Sequence, residues 1–479
     1  MELSSIIQSL ENKLFINNKY VDGTSGQLLT VTDPATGETV SSRVANAGQT
    51  DLDKAVAAAE ATMKLDSPWR TMTTMERSQL LWKAADLLEQ KMHMHYISLL
   101  EARSFGGPYS LHRTIDIKAA ADNLRYFASW CDKIPGDNQL RDGGMSRVIS
   151  SAGMKLGPAL AAGNCMILKP SEKTPLGTLY LGRIFAEAGF PPGVIQVLSG
   201  DGKLGSLLAH HEKIRKISFT GSVGVGKKIQ EAATKTNLKR VTLELGGKSP
   251  IIVCKDAALE NAAFCQLEGP QSPLRRIQGS TALQALEACE WQGLPSDQST
   301  TYGTVADKVQ YDRITAMIEQ GRKEATVTFG GTKEIGQVSD IVTQLLVSIF
   351  ANPDLPHGNQ GLYIAPTVFE SPSEVVAIYR QEIFGPVLVM KTYTTEEEVI
   401  RMANATEFGL MASVFTSNVD CAARMVEALE AGTVCVNTSM AISYKAPFGG
   451  QKQSGYGSEG GLDSVLAYTQ VKTVAQQLI

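Results

Sequence analysis

The 479-residue chain has no C-x-x-C pair, no excess of basic charge and no long uninterrupted apolar run. Its seven cysteines, Cys131, Cys165, Cys254, Cys265, Cys289, Cys421 and Cys435, are scattered and odd in number. That pattern signals neither a zinc site nor a disulfide framework, so no metal is expected. Cys165, Cys254 and Cys435 lie in apolar, strand-like runs and read most simply as small buried hydrophobes. A net charge of −4 argues against a nucleic-acid binder, which would carry a basic patch or a strongly basic balance. The most apolar late stretch, residues 341–351, includes Thr343, Gln344 and Ser348 and is too short to span a bilayer. The N-terminus carries Glu2 and Glu11 and no arginine before Arg43, unlike a secretory signal or an Arg-rich transit peptide. The terminal AQQLI matches no receptor-read address. The expected home is the cytoplasm, with no membrane partner.

What is present is ordinary for a large globular protein. Hydrophobic residues at 43% and charged residues at 20% suffice for a buried core, and the length calls for two or three domains. Residues 13–40 alternate apolar and polar and read as hairpin strands, with turn signals at Asp22-Gly23 and Thr36-Gly37. Residues 51–63, 73–102 and 115–131 have helical periodicity, with Thr73 or Thr74 as an N-cap. From Asn164 the pattern becomes a regular alternation. CMILK, GVIQVLS, IRKISFT and KRVTLEL read as strands, and residues 175–188, 205–210 and 225–236 as helices between them. Such alternation predicts a parallel sheet with helices on its faces, hence an α/β fold. Further strands are expected from Glu382 onward and at 431–439, with a glycine-rich loop at 447–461. The tail from Tyr468 to Ile479 alternates apolar and polar and reads as an edge strand. Such a strand is covered by a partner subunit or closes its own sheet.

Ligands on parallel sheets bind outside the carboxyl ends of the strands. That rule selects three loops: KPSE at 169–172, TGSVGVG at 220–226 and ELGGK at 244–248. In the second, Gly221 permits a sharp turn, Ser222 offers a hydroxyl, and the N-terminus of the following helix suits a phosphate or pyrophosphate. Residues 221–227 also fit the start of a P-loop, G-x-x-x-x-G-K, but Lys228 stands where a magnesium-binding Ser or Thr is needed. A plain helix-start turn is the third reading of this loop. In the first loop, Glu172 at a strand end suits a ribose diol and would repel a 2′-phosphate, favouring NAD over NADP. The alternative is a solvated charge behind a Ser171 or Thr174 cap. Glu244, framed by Leu243 and Leu245 before Gly246-Gly247, is an acid in an apolar setting, suited to proton transfer near neutrality or simply a solvated loop acid.

In this order the three loops closely resemble the NAD(P)-dependent aldehyde dehydrogenase superfamily. LFINNKYVDG, DNLRYFASWCDKIPG, KLGPALAAGN, EAGFPPGVIQVLSG, EIFGPV, FGL and APFGGQKQSGYGSEGG agree, so the resemblance covers nearly the whole chain in fragments. It looks most like the fungal-type NAD-linked branch. The resemblance implies oxidation of a small-molecule aldehyde to a carboxylic acid. A cysteine thiolate attacks the carbonyl, NAD takes up hydride, and a glutamate-activated water hydrolyses the thioester. A backbone amide and an asparagine hold the oxyanion. Carried over by motif, Glu244 is the general base. Lys169, Ser171 and Glu172 lie on the adenosine ribose, and Gly221, Ser222, Val223, Gly224, Val225 and Gly226 line the pyrophosphate. Leu245, Gly246, Glu382 and Phe384 lie toward the nicotinamide end, the last two at its ribose. It further implies an NAD-binding domain at 1–137 and 153–243, a catalytic domain at 244–440, and a small β oligomerisation element from 138–152 and 463–479. A homo-oligomer, dimer or tetramer, is expected.

Three segments depart from the family pattern. Residues 147–153 run almost directly into Lys155, so the strand and oxyanion asparagine that belong before KLGPALAAGN are missing; Asn164 is a different position. The nucleophile belongs in a G-Q-x-C type motif roughly thirty to thirty-five residues after the glutamate. The sequence around Gln278, QSPLRRIQGSTALQ, has no cysteine there. Cys265 and Cys289 flank that position without the motif and are the only candidates near it. Finally, residues 337–356 fill what should be a short loop. Together these resemble read-through or frameshift, as a decaying gene or a wrongly drawn gene would produce. Two classes follow: an aldehyde dehydrogenase of impaired activity, or an inactive relative that binds nucleotide or subunits.

Overall fold

Short side chains and turn chemistry set the first elements. The computed structural model describes residues 2–134, 149–258, 293–300, 303–329, 361–364, 367–439 and 442–477. After a helix at Leu3–Leu10, strands Lys13–Ile16 and Lys19–Asp22 pair antiparallel. Their two-residue turn is Asn17-Asn18, with φ of 55° and 59°, and not the expected Asp22-Gly23. Asparagine tolerates the left-handed conformation that a tight hairpin turn requires, so this is a turn signal in its own right. A second antiparallel pair, Leu28–Thr32 with Thr39–Ala45, follows. Helix Thr74–Leu88 begins with a capping box: Thr73 Oγ1 accepts from the Glu76 amide at 3.2 Å, and Glu76 Oε2 accepts from the Thr73 amide at 2.8 Å. The single helix expected at 73–102 is two, Thr74–Leu88 and Lys91–Phe105. The break falls where Gln90 turns extended and the neighbouring Glu89 pairs with Arg125 of helix Ile117–Ala128.

The alternation from Asn164 is realised element for element. Strands Met166–Leu168, Ile195–Val197, Lys216–Thr220 and Arg240–Glu244 are separated by helices Pro175–Ala188, Gly202–His210 and Val223–Lys235. The expected parallel pairing is present, in two sheets. Met166–Leu168 pairs parallel with Ile195–Val197, which extends onto the N-terminal hairpin. Lys216–Thr220 pairs parallel with Arg240–Glu244, which extends onto Gly455–Tyr456. Among the described residues no strand joins Met166–Leu168 to Lys216–Thr220. They meet through side chains instead, since Ile167 and Ile217 share one buried cluster with Leu198, Leu204 and Ile229. Helix Ile149–Ala161 packs on Ile117–Ala128, and Gly157 allows the close approach: a Cβ there would lie 2.4 Å from Phe127 Cδ2.

The second half repeats the division. Ile251–Val253, Met411–Phe415 and Thr433–Val436 form one parallel sheet. Thr326–Phe329, Thr367–Glu370 and Val387–Met390 form a second, mixed sheet, antiparallel in its first pair and parallel in its second. Between Ile251–Val253 and Val387–Met390 lies a cavity of about 1370 Å³. The tail does not close a sheet of its own chain: among the described residues, positions 471–477 belong to no sheet, and Val471 and Val474 are exposed. No helix among the described residues is long and apolar enough to cross a membrane.

Helix Pro175–Ala188 seats against the first strand at Gly182, where an added Cβ would lie 2.5 Å from Phe15 Cγ. Both residues are buried, so the ring cannot move aside without repacking. Gly182→Ala is therefore expected to lower stability by roughly 1–3 kcal/mol, read as a lower urea midpoint at unchanged slope. Gly202→Ala, where a Cβ meets nothing within 4 Å, should leave that midpoint in place.

Candidate functional site

Parallel pairing brings two of the three loops together. Thr220 stands opposite Glu244 in register, and the Gly221 amide donates to the Glu244 carbonyl at 3.0 Å. The chain then enters helix Val223–Lys235 with Ser222 as its N-cap. The Ser222 side chain is exposed and makes no capping bond, while the Val225 and Gly226 amides already donate to the Ser222 carbonyl at 3.1 and 3.0 Å. Around Gly224 the space is open, and Val223 is partly and Val225 largely exposed. Gly226 is buried where a Cβ would lie 2.8 Å from Leu245 Cδ2, which is why the helix sits so close to the strand end. Lys227 donates to Gln453 Oε1 at 2.9 Å, outside the loop, unlike a phosphate-gripping P-loop lysine.

The first loop leaves strand Met166–Leu168 at Lys169, whose Nζ donates to the Pro170 carbonyl at 3.0 Å. Its side chain passes 3.9 Å from where a Gly205 Cβ would be, beside helix Gly202–His210. Ser171 Oγ accepts from the Lys173 amide at 3.3 Å, a local turn contact, and Glu172 is half-buried. Thr174 is the residue before helix Pro175–Ala188 but makes no side-chain cap bond.

Glu244 ends its strand fully inside the protein. Neither carboxylate oxygen has a hydrogen-bond partner among the described residues. Burial, with a smaller push from the Glu459 carboxylate and an opposing pull from Lys155, raises its pKa to about 9. The two neighbours form a buried pair: Lys155 Nζ contacts Glu459 Oε1 and donates to Ser218 Oγ at 3.0 Å, and Ser218 donates to Glu459 at 3.1 Å. The glycine-rich loop carries Glu459 to this place. Gly455 has φ of +118° and lies where any Cβ would be 1.8 Å from the Leu243 carbonyl, so only glycine lets the loop pair with the Glu244 strand. Thr220 Oγ1 is also buried without a partner.

The loop at 382–384 closes on the same point. A Cβ on Gly246 would lie 2.1 Å from Glu382 Oε2, so the carboxylate rests directly on the Gly246 backbone. Phe384 has φ of 59°, uncommon for an aromatic residue. It is held by Gln310 Nε2 on its carbonyl at 2.7 Å and by Arg313 over its ring at 5.5 Å.

The structure thus gathers Gly221, Ser222, Gly226, Glu244, Leu245, Gly246 and Glu382, with Phe384 beside them. Cys265 and Cys289 lie outside the described residues. Asn164 donates from Nδ2 to the carbonyls of Ala159 and Tyr468, a structural tie. Cys165 and Cys435 are buried as expected, whereas Cys254 is only partly buried and lines the 1370 Å³ cavity. That cavity lies past Lys248, away from Glu244. Sequence reading missed Lys155, Ser218 and Glu459 as neighbours of Glu244. Lys155 and Glu459 are 304 positions apart, and the one signal was a lysine alone among the apolar residues of its helix.

A family model described as the aldehyde dehydrogenase family matches residues 20–151, 147–269 and 281–474. The match is broken at 147–151 and between 269 and 281. Human retinaldehyde dehydrogenase 3 is 38% identical over 98% of this chain and 94% of its own length. Chicken aldehyde dehydrogenase 1A1 is 39% identical over 96% and 92%. Among solved structures, an NAD⁺ complex of a Bacillus cereus aldehyde dehydrogenase superposes with a TM-score of 0.86 at 34% identity, covering 98% of this chain and 97% of that one.

A carboxyl whose folded pKa is raised is neutral in both states at low pH. As pH climbs past 4.5 the unfolded chain ionises Glu244 and the folded chain does not, so stability falls until about pH 9 and stays reduced above it. Glu244→Gln should therefore stabilise the protein, by little at pH 4.5 and by a few kcal/mol at pH 9. Urea midpoints of both proteins across that range, converging at low pH and diverging upward, are the expected result.

Proposed function

This chain belongs to the aldehyde dehydrogenase family, and we propose that it is an NAD-binding member with strongly impaired oxidation of small aldehydes. The observation that carries this reading is the buried, unpaired Glu244 set against an open helix N-terminus and the Glu382 carboxylate. The residues present fit a dinucleotide: a Ser222 hydroxyl free of capping at a helix N-terminus and open space at Gly224 suit a pyrophosphate. Gly221, Val223, Val225 and Gly226 complete that cradle. Lys169, Ser171 and Glu172 would hold the adenosine ribose, and Glu172 would disfavour a 2′-phosphate. Glu382 would hold the nicotinamide ribose, with Phe384, Leu245 and Gly246 shaping that end. NAD, when bound, supplies the hydride acceptor.

Glu244 would serve as the base that takes a proton from the hydrolytic water. It can do so only when ionised, so any Glu244-dependent hydrolysis should rise as pH approaches 9. The buried Lys155–Glu459 pair keeps a charged network beside it. The attack that precedes hydrolysis is the step that lacks its groups. The family match breaks between residues 269 and 281, where the motif cysteine belongs, and at 147–151, where the oxyanion asparagine segment belongs. Cys265 and Cys289 are the remaining candidate nucleophiles. Loss of one oxyanion donor costs roughly a hundredfold to a thousandfold, and loss of the nucleophile removes the covalent route. The same break favours the second reading, an inactive relative with a nucleotide-binding or subunit-interaction role.

The segregation of buried clusters supports the division into a cofactor domain at 1–137 with 153–243 and a catalytic domain at 244–440. Two clusters draw almost wholly on residues before 240, and the rest on residues 251–434. Exposed Val471 and Val474 support an oligomerisation element from 138–152 and 463–479 in a homo-oligomer.

Turnover of a short aliphatic aldehyde with NAD, followed as NADH absorbance, should be at least roughly a hundredfold below that of an intact family member. Turnover at the intact level, abolished by Cys265→Ala or Cys289→Ala, would overturn the impairment and identify the nucleophile. Calorimetry should show NAD binding more tightly than NADP; the reverse order would remove the role given to Glu172.

A further inference from the structure

Ser454 stands at a corner of the glycine-rich loop. On one side of it Gln451–Lys452 pairs antiparallel with Phe408–Gly409, and on the other Gly455–Tyr456 pairs antiparallel with the Glu244 strand. The residue between them is fully buried, at 0% exposure. Its backbone carbonyl accepts from the Leu245 amide at 2.8 Å. Its hydroxyl donates to the Gly246 carbonyl at 2.6 Å and accepts from the Gly409 amide at 3.0 Å. A hydroxyl supplies donor and acceptor from a single oxygen, and here both are spent on backbone groups. The site has no slack. A Cβ on Gly450 would lie 2.6 Å from Ser454 Cβ, and one on Gly409 would lie 2.7 Å from the Glu430 carbonyl. The residue so held is the one on which Glu382 rests. A Cβ on Gly246 would lie 2.1 Å from Glu382 Oε2 and 3.3 Å from Phe408 Cε1.

We propose that Ser454 is a positioning residue for the cofactor: by pinning the Gly246 backbone it sets where Glu382 meets the nicotinamide ribose. The proposal rests on the role given to Glu382 above. Ser454 acts through Gly246 and Glu382 and is not itself a catalytic residue. Removing its hydroxyl strands the Gly246 carbonyl and the Gly409 amide in a dry interior, and the backbone relieves that cost by shifting. The shift is felt at Glu382, whose carboxylate is in contact with Gly246. It is not passed to the pyrophosphate loop. The Leu245 amide bonds to the Ser454 backbone carbonyl, which every substitution keeps, and Leu245 is the residue that packs on Gly226 of the nucleotide helix. The two ends of the dinucleotide are therefore expected to respond separately.

The test compares NAD with ADP, which reaches the adenosine and pyrophosphate loops but has no nicotinamide ribose. In calorimetry on the full chain, Ser454→Ala should bind NAD about tenfold more weakly than wild type, and ADP equally well. Ser454→Cys keeps the shape and a weak donor and should fall between them. NADH emission gives the spectroscopic check: wild type should enhance and blue-shift it, and Ser454→Ala, at saturating NADH, should do less of both. One measurement needs no variant. In the wild type, NAD should slow hydrogen exchange at the Leu245 and Gly409 amides together, and ADP should slow neither. The role of Ser454 is overturned, with the nucleotide site left standing, if NAD and ADP affinities fall equally in the variants, if neither falls, or if NAD leaves either amide unmoved. Wild type that binds neither nucleotide, or binds ADP as tightly as NAD, overturns the reading of Glu382 and this proposal with it.

Discussion

Strand Arg240–Glu244 is hydrogen-bonded on both sides, parallel to Lys216–Thr220 and antiparallel to Gly455–Tyr456, and its last residue is a carboxyl. Ladder bonds fix register, and register here fixes chemistry. Pairing Thr220 with Glu244 places the start of helix Val223–Lys235 beside the acid. Pairing Gly455 with Glu244 brings the glycine-rich loop, and with it Glu459, against the same strand. A slip of one position would turn Glu244 toward the opposite face and leave Lys155 with no counter-charge. The unpaired carboxyl is the cost of that arrangement: the strand end is sealed by Leu243, Leu245 and the loop, so the acid has nowhere to be solvated.

Local order was legible in the sequence wherever a short rule governs it. The helix caps, the strand–helix alternation from Met166 to Glu244 and the loop at Ser222 follow from patterns of a few residues. Contacts between distant segments were not. Nothing near Lys155 names Glu459, because a buried ion pair is selected by proximity and not by spacing. In the sequence Asn17-Asn18 is a quieter turn signal than Asp22-Gly23, because glycine is the stronger marker, although asparagine meets the same steric demand. The break at Glu89-Gln90 depends on Arg125, on another helix, and a helical period alone cannot report it.

The motif cysteine's absence and the strand missing before Lys155 are legible, whereas the division of the second half is not. Alternating patterns say which segments are strands and not which are neighbours. Where a family pattern loses a strand, the flanking segments keep their hydrophobicity and their burial. They then face each other across side chains and not across a ladder, as Ile167 and Ile217 do. The cavity between Ile251–Val253 and Val387–Met390 belongs to the same kind of junction in the other half.

That junction has a mechanical meaning. Backbone ladders resist shear because each bond is directional, but apolar contacts resist only separation. Lys169 rides on one sheet and Ser222 on the other, and among the described residues the two sheets share no ladder. The distance between these loops is therefore set by a surface that can slide. Were Lys169 and Ser222 the two anchors of the proposed dinucleotide, they would behave as a compliant ruler, accepting ligands of slightly different length at little strain and holding none as firmly as anchors on one continuous sheet.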